Sequence, residues 1–228
     1  MKNIKGLLET SFVDWPGKIC AVMFLANCNF RCPFCHNHPL VLDYNSLESI
    51  DFEAIINRLA RLKKWLGGVC ISGGEPTLNH DLPAALKRLK QEGWAIKLDT
   101  NGSRPAVLEQ LLADRLLDMV SMDVKAPLVT EKYNRCAGTK VNLEHIRASI
   151  SLLHESGIPH EFRMTILPLF HTETDIINWA RQLGKGPENN LSRLKLQNFN
   201  PASTLNHKLS LEDPFAADTF SKLQQLVA

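Results

Sequence analysis

Cys28, Cys32 and Cys35 stand in the segment Asn27-Cys-Asn-Phe-Arg-Cys-Pro-Phe-Cys-His-Asn37, three thiols spaced C-x3-C-x2-C. Thiolate is a soft ligand that selects zinc, Cu(I) or iron–sulfur clusters, and one tight loop can turn three thiolates toward one metal centre. A structural zinc site closes its tetrahedron with four protein ligands, and a cubane cluster normally takes four cysteines. Three cysteines therefore leave two outcomes open. His36 or His38 could complete a Cys3His zinc site with the same thiols. Alternatively, a cubane held by three cysteines keeps one iron open to a further ligand.

The loop follows an apolar run, residues 18–25, that reads as a strand. Five more β-rich runs recur at 68–72, 94–99, 118–124, 160–167 and 193–198, separated by segments whose apolar residues repeat at helical spacing. Phe52, Ile55, Ile56, Leu59 and Leu62 form one such stripe; Leu82, Ala85, Leu86 and Leu89 another; Val107, Leu108, Leu111 and Leu112 a third. Leu143, Ile146, Ile150 and Leu153, then Ile176, Ile177, Ala180 and Leu183, continue the series. Asp51, Asp81, Ser103, Asn142 and Thr172 are suitable N-caps, and Pro83 and Pro105 fall in first turns. Repeated βα units predict a mostly parallel sheet. Six are too few for a closed eight-stranded barrel, so the expected fold is an α/β open partial (β/α)6 barrel. It is expected to be one domain over 1–228, with its core at about 18–200 and a closing helix over 213–227. The 184–190 segment is the best candidate for a mobile loop.

Of 228 residues, 44% are hydrophobic and 22% charged, ordinary values for a soluble globular chain. A net charge of +2 argues against nucleic acid as the main partner. The longest apolar run, 19–26, is far short of the roughly 20 residues that span a bilayer, and the N-terminus lacks an apolar stretch of signal-peptide length. These features predict a cytoplasmic protein without a membrane partner, whose six cysteines serve as ligands or buried thiols rather than disulfides. Cys20 and Cys70 read as core strand residues and Cys136 as a loop thiol.

In parallel α/β barrels, reactive groups gather at the C-terminal ends of the strands. The cysteine loop follows the first predicted strand, Ser72-Gly-Gly-Glu-Pro76 the second, Asp99-Thr-Asn-Gly102 the third and Asp123-Val-Lys125 the fourth. Gly73 and Gly74 let backbone approach a ligand without a Cβ, and Glu75 can accept from a cationic amine. Asp99, Asn101, Asp123 and Lys125 supply acceptors and a cation suited to an amino-acid zwitterion and a ribose diol. Each motif alone is more often a turn or a surface pair. Their joint placement after four successive strands carries the functional reading.

With these motifs, and with 12–18, 97–103, 122–127, 161–168 and 197–205, the chain resembles the radical S-adenosylmethionine (radical SAM) superfamily. Within it the chain is most similar to the glycyl-radical-enzyme activating proteins that serve anaerobic ribonucleoside-triphosphate reductases. The resemblance implies a [4Fe–4S] cluster on Cys28, Cys32 and Cys35, with the open iron chelated by the amino and carboxylate groups of S-adenosyl-L-methionine. Gly73, Gly74 and Glu75 would meet the methionine amine, Phe34 and His36 would lie near the adenine, and Asn101, Asp123, Lys125 and Arg163 would line the rest of the pocket. Asp99, Thr100 and Asp123 match the ligands of a monovalent cation in pyruvate formate-lyase activators. The implied reaction is one-electron reduction of the cluster, reductive cleavage of the sulfonium, and hydrogen abstraction from a glycine Cα of a glycyl radical enzyme, with flavodoxin or ferredoxin as electron donor. The cofactors carry that chemistry, so no side chain need act as a general base. Pyruvate formate-lyase activators carry a histidine where this chain offers Asn200. Cys70 alone lies between Cys35 and Glu75, so no auxiliary cluster is expected. Two competing readings are a radical SAM enzyme acting on a small molecule or peptide, and a zinc-stabilised binding module without catalysis.

Overall fold

The structure, a computed structural model, describes Met1, residues 3–184 and residues 192–227. Strands β1 (Ile4–Ser11), β2 (Cys20–Leu25), β3 (Gly68–Gly73), β4 (Ile96–Thr100), β5 (Met119–Asp123), β6 (His160–Ile166) and β7 (Ser192–Asn198) follow one another in that order across a seven-stranded sheet. The helices are α1 (His38–Leu42), α2 (Phe52–Arg61), α3 (Leu82–Gln91), α4 (Pro105–Ala113), α5 (Thr130–Ala137), α6 (Leu143–Glu155), α7 (Glu173–Leu183) and α8 (Ala217–Gln225). β1 runs antiparallel to β2, whereas β2–β3, β3–β4 and β6–β7 are parallel pairs. The α/β class and all six expected strands are present. β1 is additional.

Packing divides the chain into two compact units. One comprises Met1–Asn29, Pro39–Thr100 and Ala106–Val120; the other comprises Phe30–His38, Asn101–Pro105 and Ser121–Ala228.

In the first unit β2 is buried at five of its six positions, as a parallel strand covered on both faces must be. Trp15, Cys20, Val22, Cys70 and Met119 form a core cluster with Phe24 and Ala95 against it. Trp15 enters this cluster from the β1–β2 connection, and a Cβ on Gly68 would come within 2.7 Å of its ring. Gly68 is therefore required by the packing of Trp15. Helix α2 buries Phe52, Ile55, Ile56 and Leu59 and is capped by Asp51, which accepts from the Ala54 N–H at 2.9 Å. Two expected caps differ. Asp81 is itself in αR geometry and makes no side-chain cap bond at α3. Ser103 lies two residues before the start of α4 at Pro105 and donates its N–H to Asn101 Oδ1 instead.

In the second unit Asn142 caps α6 by accepting from the Glu144 N–H at 3.0 Å, and Thr172 and Asp175 form a reciprocal capping box at α7. Cys136 is not in a loop: it is buried on α5, which ends at the left-handed residue Gly138. The closing helix α8 starts later than expected, because the chain is still extended at Ala216, two residues past Pro214. Of 184–190, only Gly184 lies within the described residues, at the C-terminus of α7. Among the described residues no helix is long and apolar enough to cross a membrane.

Candidate radical SAM site

In the first unit, parallel pairing brings the C-terminal ends of β2, β3 and β4 side by side. They carry the approach to Cys28, the Gly73-Gly74-Glu75 turn, and Asp99–Thr100. The Gly74 N–H donates to Leu25 O at 2.8 Å and the Glu75 N–H to Asn27 O at 2.7 Å. A Cβ on Gly74 would stand 2.0 Å from Asn27 O, and one on Gly73 (φ +121°) would stand 2.3 Å from Leu25 O. The approach these glycines permit is thus to the chain's own backbone, where it leads into Cys28. They strap the turn to the start of the cysteine loop.

Glu75 is fully buried, and its Oε1 accepts from the Thr77 N–H at 3.1 Å, the Thr77 hydroxyl and the Thr100 hydroxyl at 2.7 Å. The carboxylate caps the 3-10 turn Pro76–Leu78 and ties it to the end of β4. Asp99 accepts from Ser72 Oγ at 3.2 Å and is ion-paired to Lys97, whose side chain is fully buried and also reaches Cys70 Sγ at 3.8 Å. Asp99 and Thr100, two of the three expected cation ligands, are therefore already engaged by Lys97 and Glu75. Lys97 was not singled out from the sequence. Its place two residues before Asp99 on one strand, and hence on the same face, was the available signal.

In the second unit, the loop over 30–37 carries Cys32 and Cys35 on a tight turn in which the Cys35 N–H donates to Cys32 O at 3.0 Å. The Arg31 N–H donates to Ala137 O at 2.8 Å, and a Cβ on Gly138 would stand 2.0 Å from Arg31 O. The C-terminus of α5, a helix not expected from the sequence, thus braces the loop. Phe34 is buried edge-on to Phe170, ring centroids 5.8 Å apart, and to His171 at 6.3 Å. His36 is exposed overall; loss of solvation first, then His38, lowers its pKa and favours the neutral ring. Asn101 is buried and folds back on Ser103, while Asn200 is exposed and accepts from the Ala202 N–H at 3.0 Å.

Asp123 pairs with Lys125 at 3.0 Å and with Arg163 at 2.8 Å. Burial would raise the Asp123 carboxyl, but Arg163 and Lys125 outweigh it and hold the group well below the ordinary carboxylate range. Lys125 is likewise kept charged: burial disfavours its ammonium, and Asp123 and Cys32 more than compensate. Arg163 Nη1 also lies 3.9 Å from Glu161, a buried carboxylate that accepts from Ser121 Oγ at 2.7 Å. The backbone after β5 is held from several sides. The Val124 N–H donates to Arg163 O, the Trp179 indole donates to Val124 O at 3.2 Å, and the Leu128 N–H donates to Gln182 Oε1 at 2.6 Å.

The Asp123 geometry sets an acid limit. A carboxylate with a depressed folded-state pKa adds stability that is present above its unfolded pKa of about 3.9 and is lost as pH falls through the lower folded value. Asp123 should therefore contribute a constant amount from about pH 5 to 9 and an acid limb below about pH 4. Asp123→Asn is expected to flatten that limb in urea unfolding at pH 3 to 7. An unchanged limb would contradict the pairing.

Among the described residues no group of three His, Cys, Asp or Glu side chains stands at ion-binding separations. The donor set itself, three thiols on one short loop with the Lys125 cation acting on Cys32, fits an iron–sulfur cluster. The buried Tyr133 hydroxyl, in the field of Cys32 and Asp123, reaches toward the Lys125 backbone without closing a well-formed hydrogen bond. Burial raises the Cys35 thiol, which Lys125 only partly offsets, so metal binding there must displace a proton.

A profile of the radical SAM superfamily matches residues 22–181, and the chain belongs to that superfamily. The superfamily's cofactors are a [4Fe–4S] cluster and S-adenosylmethionine. A Methanocaldococcus jannaschii protein provisionally named a glycyl-radical enzyme activating enzyme is 34% identical over 183 residues, covering 78% of this chain and 74% of its own length. The pyruvate formate-lyase-activating enzyme of Clostridium pasteurianum is 32% identical over 130 residues, 55% of this chain and 53% of its own. The chain is therefore homologous to glycyl-radical-enzyme activases. Among solved structures, Streptococcus suis SuiB bound to its precursor peptide SuiA is similar with a TM-score of 0.69 at 16% identity, over 90% of this chain but only 44% of SuiB. A domain of the pyruvate-formate lyase-activating enzyme from Bacteroides vulgatus gives a TM-score of 0.55 at 19% identity, covering 71% of this chain and 92% of that domain. Likeness at these identities concerns the fold.

Proposed function

We propose that this chain is an activase that installs a radical on a glycine of a partner glycyl radical enzyme, of the anaerobic ribonucleoside-triphosphate reductase type. The observation that carries the proposal is the three-cysteine loop at the end of β2, strapped by the Gly73-Gly74-Glu75 turn through Leu25 O and Asn27 O, in a chain homologous to such activases. Cys28, Cys32 and Cys35 would hold the cluster. Gly73, Gly74 and Glu75 would present backbone and charge to the methionine amine, and Phe34 and His36 would pack near the adenine. Asn101, Asp123, Lys125 and Arg163 would receive the remaining polar groups. When bound, the cluster and S-adenosylmethionine supply the one-electron chemistry that removes a hydrogen atom from the glycine. The protein's own part is to orient them: Arg163 and Lys125 fix the Asp123 carboxylate as an anion throughout the neutral range, and α5 braces the loop at Arg31. A flavodoxin or ferredoxin in the cytoplasm would deliver the electron.

The reading is tested by mixing reconstituted, reduced protein with S-adenosylmethionine and an anaerobic ribonucleotide reductase. A glycyl radical with one 5′-deoxyadenosine per radical is expected. Cleavage that continues without a radical on any glycyl radical enzyme would favour a small-molecule or peptide substrate instead.

A further inference from the structure

His171 follows the β6 strand end in Leu167-Pro-Leu-Phe-His171, is 1% exposed, and meets four separate segments of the second unit. The Leu167 N–H donates to its Nδ1 at 3.3 Å, so the proton resides on Nε2. That Nε2–H lies 3.0 Å from the Lys125 carbonyl and 3.6 Å from Cys136 Sγ on α5. The ring packs edge-on against Phe34, the residue directly before Cys35. Burial lowers the His171 pKa, against smaller opposing contributions from the Lys125 carbonyl and Asp175, and keeps the imidazole neutral, so one tautomer serves both bonds.

We infer that His171 is a positioning residue for the cofactor pocket: its Nε2–H fixes the Lys125 backbone, and its ring edge backs Phe34 beside the cluster loop. The pocket part of this inference rests on the activase reading; the fixing of Lys125 does not. Lys125 follows the Asp123 and Val124 positions held by Arg163 and Trp179, and His171 supplies the bond to its own carbonyl. Without it that part-buried carbonyl loses its imidazole donor, and the ammonium paired with Asp123 is carried on a looser backbone.

The two ring nitrogens can be tested separately. Gln at 171 places its amide nitrogen near the Nε2 position and can still donate to Lys125 O. Asn places its amide near the Nδ1 position and cannot reach that carbonyl. In the cluster-free chain, nitrogen NMR of wild type should show a single Nε2–H tautomer at neutral pH. Amide hydrogen exchange at Lys125 and Ala126 should accelerate about tenfold in His171→Asn and recover to within about threefold of wild type in His171→Gln. In cluster-loaded protein, the dissociation constant for S-adenosylmethionine should rise about tenfold in His171→Asn and stay within about threefold in His171→Gln. Equal exchange and equal affinity in both variants, losses that merely follow melting temperature, or an Nδ1–H tautomer would overturn the inference. Wild-type protein that fails to bind S-adenosylmethionine would overturn the activase reading instead, while the exchange data still decide whether His171 fixes Lys125.

Discussion

Cys32→Ala is expected to yield a folded protein without a [4Fe–4S] cluster and with S-adenosylmethionine cleavage at background. Cys32 is 8% exposed, and the turn it begins is closed by its backbone carbonyl, which the substitution retains. Only the thiol is lost, so the cluster-free chain should be destabilised by no more than about 1–2 kcal/mol. Two remaining thiolates cannot hold a cubane that normally requires four ligands. Cys20→Ala is the matched control. Burial, reinforced by Asp14, pushes the Cys20 thiol up to about 11, so it stays protonated in the core and is no ligand. Iron and sulfide per chain should fall to background in the first variant and be unchanged in the second. Retained iron and cleavage in Cys32→Ala would sink the cluster assignment. A colourless, air-stable wild-type protein holding zinc would point instead to a Cys3His site.

Lys97→Met should cost about 3–5 kcal/mol of stability, because it leaves Asp99 buried without its cation. The Lys97 side chain is fully buried and that of Asp99 is 11% exposed, so solvent offers little compensation. A buried pair is strongly destabilising to break yet often neutral to replace whole, so Lys97→Met combined with Asp99→Leu should recover at least half of the loss. Urea unfolding of the cluster-free chain reads both. A single-variant loss below about 1 kcal/mol would show that the pair is solvated, as exposed ion pairs are.

The strands β2 to β7 were legible because each is a short apolar or β-branched run bounded by turn residues. The motifs at their C-terminal ends were legible because βα order fixes which end they occupy. β1 was not, since Ile4–Ser11 includes Lys5, Gly6 and Glu9 and is buried only at its two ends. It is an edge strand held by pairing with β2 rather than by its own apolar pattern. Helix α5 escaped notice because most of its residues are polar. Yet its buried Tyr133, Cys136 and Ala137 stand at i, i+3 and i+4, followed by Gly138 in the left-handed conformation, which is a helix signature. At the site, residue types were readable but their partners were not. Gly73 and Gly74 were read as room for a ligand, and the structure adds a partner that reading did not foresee: a Cβ on either would meet Leu25 O or Asn27 O. Lys97 does its work through Asp99 on the same strand, a contact its i, i+2 spacing allowed, whereas His171 works through the Lys125 carbonyl, a contact that depends on loop path beyond local spacing.

The most direct test of the account is electron paramagnetic resonance on anaerobically reconstituted protein with reductant, S-adenosylmethionine and an anaerobic ribonucleotide reductase, with 5′-deoxyadenosine quantified in parallel. A glycyl radical doublet on the reductase, formed in step with 5′-deoxyadenosine and absent with Cys32→Ala, is the predicted result. An intact cluster that gives neither radical nor 5′-deoxyadenosine would contradict it.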